Sequence, residues 1–156
     1  TINGSWGYNI TDRNYKTVRQ VLQLLIGAAG RNSNLLLNIG PMPNGAIQPE
    51  FTDTLAAAGK WLQQYGESIY GTRGGPLGPQ VWGVTTQKDK KIYLHLFKTP
   101  DANSIFLPGI SEIVKQATLL GAGSKVKYKQ LKEGILISTE GVVVDGPDTV
   151  IVIDLK

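Results

Sequence analysis

The chain has 156 residues and a mass of 16.9 kDa, and 41% of its residues are hydrophobic and 18% charged. This composition fits one globular domain or two small ones, and it is too apolar for a disordered chain. No apolar run is long enough to span a bilayer. The net charge of +4 is spread evenly over both halves, whereas nucleic-acid-binding proteins concentrate their basic residues on one face. We therefore expect neither a membrane nor a nucleic acid as partner.

The counts of cysteine and histidine restrict the chemistry further. Cysteine is absent, and His95 is the only histidine. These counts exclude disulfides, thiolate catalysis and metal sites built on Cys or on a pair of His. The chain starts with Thr1 rather than Met, and we expect it to begin within a longer protein.

Residues 1–76 have the pattern of a helix, a strand and a second helix. One-sided apolar spacing over 13–30 predicts an amphipathic helix with Asp12 as its N-terminal cap. The continuous apolar run 35–39 predicts a strand buried on both faces, as in a parallel sheet covered by helices. A second helix is predicted over 49–65, with a proline in its first turn. This order indicates a piece of an α/β architecture whose strand needs partners from elsewhere.

From residue 77 onward the pattern changes to that of short β-strands. Segments rich in Val, Ile, Tyr and Phe, several of them strictly alternating, are separated by turns containing Gly, Pro and Asp; they span 81–86, 91–97, 104–107, 117–120, 126–131, 134–138 and 150–155. About seven short strands at this spacing favour an antiparallel β-sandwich. We therefore predict two domains, an incomplete α/β portion at 1–76 and a β-sandwich at 77–156.

Two features of the first half are candidates for ligand binding. Trp6 and Tyr8 flank Gly7 in a loop, where aromatic rings can stack on a sugar and donate hydrogen bonds. Burial at the rim of a larger fold is the alternative, and composition alone favours it. Asn38 ends the predicted strand, which is where parallel α/β proteins bind ligands, although a tight turn is the favoured explanation.

No pair of carboxylates in the first half is a convincing catalytic pair. Glycoside hydrolysis normally needs two carboxylates that flank the scissile bond. Asp12 is explained as a helix cap, and Glu50 and Asp53 by the dipole of the first turn of the second helix. Glu67 follows the end of that helix. We therefore assign no catalytic residue to this chain.

In the second half, the candidate residues favour structural roles. His95 lies inside an alternating strand and is interpreted as a surface or interface residue. Three alternating lysines at 125, 127 and 129 predict a solvated strand face that also discourages edge-to-edge pairing. Trp82 is either a sugar platform or part of the core, and its apolar neighbours favour the core.

Several motifs in a fixed order make the first half similar to a known family. They are residues 5–9 around Trp6 and Tyr8, residues 34–41 with the Asn44-Gly45 turn, residues 59–62 and residues 66–72. These motifs resemble the C-terminal part of glycoside hydrolase family 29 α-L-fucosidases. The resemblance implies that residues 1–72 form the last portion of a (β/α)8-type barrel, with 35–39 as a barrel strand, followed by an accessory β-sandwich.

The resemblance also implies an activity. It is that of a retaining exo-α-L-fucosidase, acting on terminal α-linked fucose of glycans without metal or cofactor. The Asp nucleophile, the Glu acid/base and the His residues that hold fucose would all lie upstream, so the chain alone is predicted to be inactive. Trp6 is similar to the aromatic that contacts the C6 methyl of fucose, which makes it the predicted substrate-binding residue.

Two further expectations follow from the same resemblance. The rest of the barrel would be the partner of this chain, and the protein would work in a periplasmic, secreted or lysosome-like compartment. The alternative to the fucosidase hypothesis is a non-catalytic carbohydrate-binding or scaffolding module in which the β-sandwich is the active part.

Overall fold

The computed structural model describes residues 1–156 and consists of two helices and eight strands. Helix α1 spans Val18–Gly30 and α2 spans Pro49–Tyr65, followed by a 3-10 turn at Gly66–Ser68. The strands are β1 (Arg73–Gly74), β2 (Gly83–Lys88), β3 (Lys91–Leu96), β4 (Ser104–Pro108), β5 (Val114–Leu119), β6 (Tyr128–Leu131), β7 (Gly134–Ser138) and β8 (Thr149–Leu155). Neither helix combines the length and the apolar character that a membrane span requires.

The two helices differ in how well their starts were predicted. Helix α2 has the predicted bounds, with Pro49 in the first turn. Helix α1 begins at Val18, because Thr17 accepts a hydrogen bond from the Gln20 amide while the Gln20 side chain accepts one from the Thr17 amide. This reciprocal capping box satisfies two amides that would otherwise lack partners. The prediction of Asp12 as the cap is therefore wrong.

The strands form two antiparallel sheets that pack face to face. One sheet has the order β1-β2-β3-β8-β5 and the other has the order β4-β7-β6. Between them lies a core of buried aliphatic side chains, namely Ile92, Leu94, Leu96, Ile105, Leu107, Ile110, Val114, Ala117, Val126, Ile135, Ile137, Ile151 and Ile153. The predicted β-sandwich is confirmed, and only the two-residue strand β1 was missed, since it is too short for a periodic signal.

The five-stranded sheet is buried on both faces. On β3, Leu94 and Leu96 face the smaller sheet, while Tyr93 points to the opposite side. There α1 and α2 cover it, and the shared core consists of Leu22, Ile26, Ala58, Trp61, Val84, Tyr93, Val150 and Val152. The molecule is therefore layered in the order helices, five-stranded sheet, three-stranded sheet.

The segment 35–39 does not form the predicted strand. Its one backbone hydrogen bond to another segment runs from the Ile2 amide to the Asn38 carbonyl, at 3.1 Å. Leu36 is 76% exposed, although Leu37 and Ile39 pack against a small core around Phe51. A strand needs neighbours to pair its backbone groups, and neither sheet lies beside this segment. Residues 35–39 are also not buried on both faces, contrary to the prediction.

His95 is fully buried, so the surface alternative for this residue is wrong. It points from β3 towards the helical layer, where its Nδ1 lies 2.7 Å from Asp148 Oδ2 and its Nε2 lies 3.1 Å from Thr86 Oγ1. The Thr86 hydroxyl donates its only proton to the Ser68 carbonyl at 2.7 Å. The hydroxyl oxygen must therefore accept from the Nε2–H of the imidazole.

The remaining contact of the imidazole joins His95 Nδ1 to the Asp148 carboxyl. Burial raises the pKa of the Asp148 carboxyl, and the adjacent imidazole opposes that rise. The second oxygen of the Asp148 carboxyl, Oδ1, is buried without a hydrogen-bond partner. His95 is thus the sole side-chain partner of this carboxyl, and the chain Ser68–Thr86–His95–Asp148 links the helical layer to the sheet.

Replacing His95 should destabilise the protein strongly. His95→Ala leaves the Asp148 carboxyl buried without a side-chain partner, which is expected to cost roughly 3–5 kcal/mol in the free energy of unfolding. Urea denaturation followed by circular dichroism measures this difference.

The matched control removes an exposed pair. Lys91 lies 3.5 Å from Glu67, and both side chains are almost half exposed. Lys91→Ala should therefore cost less than about 1 kcal/mol. Similar costs for the two variants would contradict a structural role for the buried pair.

Candidate functional site

The loop of residues 5–9, which we call the Trp6 loop, lies on the end of the extended segment 35–39. The Asn38 side-chain amide donates to the Trp6 carbonyl at 2.6 Å. A Cβ added to Gly40 would fall 2.5 Å from the Tyr8 amide nitrogen, so the two backbones are in direct contact there. The two features that the sequence indicated separately are therefore brought together in one site.

Asp12 organises the Trp6 loop from within. Its Oδ2 accepts a hydrogen bond from the Ser5 hydroxyl at 2.8 Å, and its Oδ1 accepts from the Asn14 amide at 3.1 Å. Asn9 in turn donates to the Ser5 hydroxyl oxygen at 3.2 Å. The Ser5 hydroxyl, followed by the Asn14 amide, lowers the pKa of the Asp12 carboxyl. Asp12 is thus an ionised acceptor that holds Ser5 beside Trp6.

The three tryptophans have different environments. Trp6 is 73% exposed, whereas Trp61 is buried beneath the sheet and Trp82 packs, partly buried, against the sandwich core. The prediction that Trp82 contributes to the core is confirmed by this contact. No residue of the chain buries Trp6, so its indole ring remains available at the edge of the site.

The other acidic candidates of the first half have local explanations. Glu50 lies in the first turn of α2, whereas Asp53 is exposed one turn later. Glu67 pairs with Lys91 across the surface. The structure also has no cluster of three or more His, Asp or Glu side chains placed to hold a metal ion.

The sequence analysis missed the hydroxyl–imidazole–carboxylate order of Thr86, His95 and Asp148. These residue types can form a nucleophilic triad, but here the hydroxyl proton is donated to the Ser68 carbonyl. Thr86 and His95 are completely buried, so no substrate reaches the hydroxyl oxygen. The network is structural, and strand alternation alone could not reveal it because Asp148 is 53 residues from His95.

The predicted lysine row is confirmed as a solvated face. Lys125, Lys127 and Lys129 are all exposed, and β6 is an edge strand of the smaller sheet. Edge strands with lysines resist pairing with other sheets.

Known proteins with similar sequences and structures share one description. A family model described as alpha-L-fucosidase matches residues 1–67. The plasma alpha-L-fucosidase of Homo sapiens is 33% identical over 146 residues, which cover 85% of this chain and 31% of that protein. The tissue alpha-L-fucosidase of Mus musculus is 32% identical over 149 residues, with coverages of 86% and 31%. The family model, the relatives and the solved structures together support the interpretation of this chain as a C-terminal fragment of an α-L-fucosidase.

The likeness to fucosidases extends through the sandwich. The alpha-L-fucosidase isoenzyme 1 from Paenibacillus thiaminolyticus superposes with a TM-score of 0.84 and 33% identity, covering 99% of this chain and 38% of that one. The chain therefore spans about a third of the length of its relatives. The resemblance seen in the motifs of the first half is confirmed, and it includes the β-half, which offered no diagnostic motif.

The contact between Gly40 and the Trp6 loop predicts the effect of a small substitution. Gly40→Ala should displace the loop, because the added methyl would overlap the backbone of Gly7 and Tyr8. Nuclear magnetic resonance of the Trp6 indole N–H should show a clear change in chemical shift and faster hydrogen exchange of the loop amides.

Gly7→Ala is the matched control within the same loop. A Cβ on Gly7 has no atom within 4 Å, so this variant should leave the Trp6 indole signal close to its original position. An unchanged indole signal in Gly40→Ala would mean that the loop does not depend on this backbone contact.

Proposed function

We propose that this chain is part of a retaining exo-α-L-fucosidase that hydrolyses terminal α-linked L-fucose from glycans or glycoconjugates. The observation that carries the proposal is the similarity to proteins named alpha-L-fucosidase, which covers 85% of this chain at 33% identity. The exposed indole of Trp6 supports it, since this ring lies in the motif that resembles the fucose-binding aromatic.

We further propose that residues 1–76 complete a catalytic (β/α)8-type barrel and that residues 77–156 form its accessory sandwich. Segment 35–39 supports this division, because its backbone makes only one hydrogen bond to another segment and Leu36 is exposed, as expected of a barrel strand without its neighbours. Two buried acceptors, Asn3 Oδ1 and Gln48 Oε1, also lack partners within the chain. The rest of the barrel is therefore proposed to pack against segment 35–39 and to supply partners for Asn3 and Gln48.

In this proposal, the chain supplies binding and not the reacting groups. A retaining mechanism requires a carboxylate nucleophile and a second carboxyl that acts as acid and then base. Both would lie upstream, since Asp12, the acidic residue beside the Trp6 loop, is engaged in holding that loop. Trp6 would contact the C6 methyl of fucose, and Asn38 and Asp12 would hold its loop in position.

The role of Trp6 can be tested in the full-length enzyme by comparing L-fucosides with L-galactosides, whose sugar carries a hydroxyl on C6. Trp6→Ala should lower kcat/KM more for the fucoside, because only the methyl gains from burial against the indole. One buried carbon is worth about 0.8 kcal/mol, so the ratio of kcat/KM values should fall roughly threefold to fivefold. Trp82→Phe, in the sandwich, should leave the ratio unchanged. Equal losses for both sugars would remove Trp6 from the methyl site.

The position of the catalytic residues can be tested with the chain alone. The 156-residue polypeptide should release no product from an aryl α-L-fucoside above the uncatalysed rate, because the proposed nucleophile and acid/base lie outside it. The full-length protein, assayed in parallel, should turn over the same substrate. Turnover by the chain alone at an enzyme-like rate would refute the proposed location of the two carboxylates.

A further inference from the structure

The outward face of the three-stranded sheet combines apolar side chains with lysines and serines. Its inward side chains, among them Ile105 and Ile137, are buried in the sandwich core. Because side chains alternate along a strand, the intervening residues of β4, β7 and β6 point outward. We call this outward surface the outer face, and it lies on the opposite side of the sandwich from α1 and α2.

Two rows cross the outer face. In the first, Phe106 of β4 lies opposite Leu136 of β7, which in turn lies opposite Lys129 of β6. In the second, Ser104 lies opposite Ser138, whose amide donates to the Lys127 carbonyl at 2.9 Å. Each row therefore begins on β4 and ends at a lysine, the first at Lys129 of β6 and the second at Lys127, which directly precedes β6.

The rows enclose a shallow depression next to an exposed aromatic ring. The depression has a volume of about 310 Å³ and is lined by Ser104, Lys127, Tyr128, Lys129, Leu136 and Ser138. Phe106, which lies opposite Leu136 in the first row, is 41% exposed. A lysine row along the edge formed by β6 and the residues before it is explained by protection of that edge, but this explanation does not account for an exposed aromatic on β4 at the other edge.

The polar groups of the depression are available to a ligand. The salt bridges of the structure are Lys91–Glu67 and His95–Asp148, so Lys127 and Lys129 have no carboxylate partner. No acidic residue lines the depression. The Ser104 hydroxyl donates to the Ala102 carbonyl at 3.3 Å and retains lone pairs, whereas the Ser138 hydroxyl accepts from the Glu140 amide at 3.4 Å and retains its proton.

We propose that the outer face binds an anionic saccharide unit, one that carries a sulfate or carboxylate group, within a glycan chain. The apolar face of the sugar ring would lie on Phe106 and Leu136, since aromatic and aliphatic surfaces gain from covering ring C–H groups. The acidic group would lie between Lys127 and Lys129, which attract it by charge. The two serine hydroxyls would pair with sugar hydroxyls, one as acceptor and one as donor.

Other anionic partners fit this surface less well. A free phosphate or an acidic peptide would use the lysines, but neither presents the flat apolar face that Phe106 and Leu136 match. The site holds a glycan chain and performs no chemistry, and it shares no residue with the Trp6 loop. The inference goes beyond the proposed fucosidase activity and does not rest on it.

Binding of the whole 156-residue chain to a chondroitin sulfate hexasaccharide, measured by isothermal titration calorimetry, tests the proposal. The double variant Lys127→Ala/Lys129→Ala should weaken binding at least tenfold. Phe106→Ala should weaken it roughly threefold to tenfold, and Phe106→Tyr, which keeps the ring, should restore affinity to within about twofold. Thermal unfolding of each variant verifies that the fold is retained.

Matched controls separate a built site from general charge attraction. The double variant Lys90→Ala/Lys115→Ala removes the same charge from exposed positions in the β2–β3 turn and on β5 and should change affinity less than about twofold. Maltohexaose, which is neutral, and hexaglutamate, which lacks sugar rings, should both bind at least tenfold more weakly than the sulfated probe.

The proposal is overturned by any of four results. These are no binding of the sulfated hexasaccharide, equal losses for the two lysine double variants, full affinity of Phe106→Ala, and comparable affinity for hexaglutamate. In the full-length protein, the outer-face variants should leave hydrolysis of a small aryl α-L-fucoside unchanged. Failure of this binding proposal would therefore not affect the proposed activity, and the reverse also holds.

Discussion

The five-stranded sheet is apolar on both faces, and the other layers of the structure depend on this property. Ile151 on β8 contacts the sandwich core, while its neighbour Val152 contacts the helical core. Each face of such a sheet must be covered by another layer to remove its apolar surface from water. The smaller sheet covers one face and α1 with α2 covers the other. The helices are therefore part of the stable unit that contains the sandwich, and they carry the segments that form the Trp6 site.

Within this layered core, His95 and Asp148 form a buried polar connection. A buried pair of this type stabilises the fold less by its own attraction than by the penalty incurred when one partner is lost. The connection continues through Thr86 to the Ser68 carbonyl, at the end of the helical layer. Its directional hydrogen bonds add an alignment that aliphatic packing alone does not provide, because packing is not directional. The position of the helices on the sheet is thus defined by both kinds of interaction.

The functions proposed for the Trp6 loop and the outer face would be two modes of glycan recognition on one scaffold. At the Trp6 loop, an exposed indole is held by a backbone contact and by the Asn38 and Asp12 hydrogen bonds. On the outer face, Phe106 and Lys129 occupy strands whose register is set by the sandwich core, and Lys127 directly precedes β6. The first arrangement suits a small deoxy-sugar with an apolar methyl, and the second suits an acidic unit of a longer chain. Together they would allow an enzyme to act on fucose while holding the glycan that carries it.

The sequence by itself determined the elements whose signals are local. Proline in the first turn and one-sided spacing predicted α2, apolar composition with turn signals and partial alternation predicted seven of the eight strands, and a set of ordered motifs indicated the fucosidase family. Asp12 was mistaken for a cap because a competing signal, the Thr17–Gln20 box, lies only five residues later. Tertiary structure alone decided the burial of His95, the exposure of Trp6 and the meeting of Trp6 with Asn38. Alternation states which face a side chain occupies, but what covers that face depends on contacts between residues far apart in the chain.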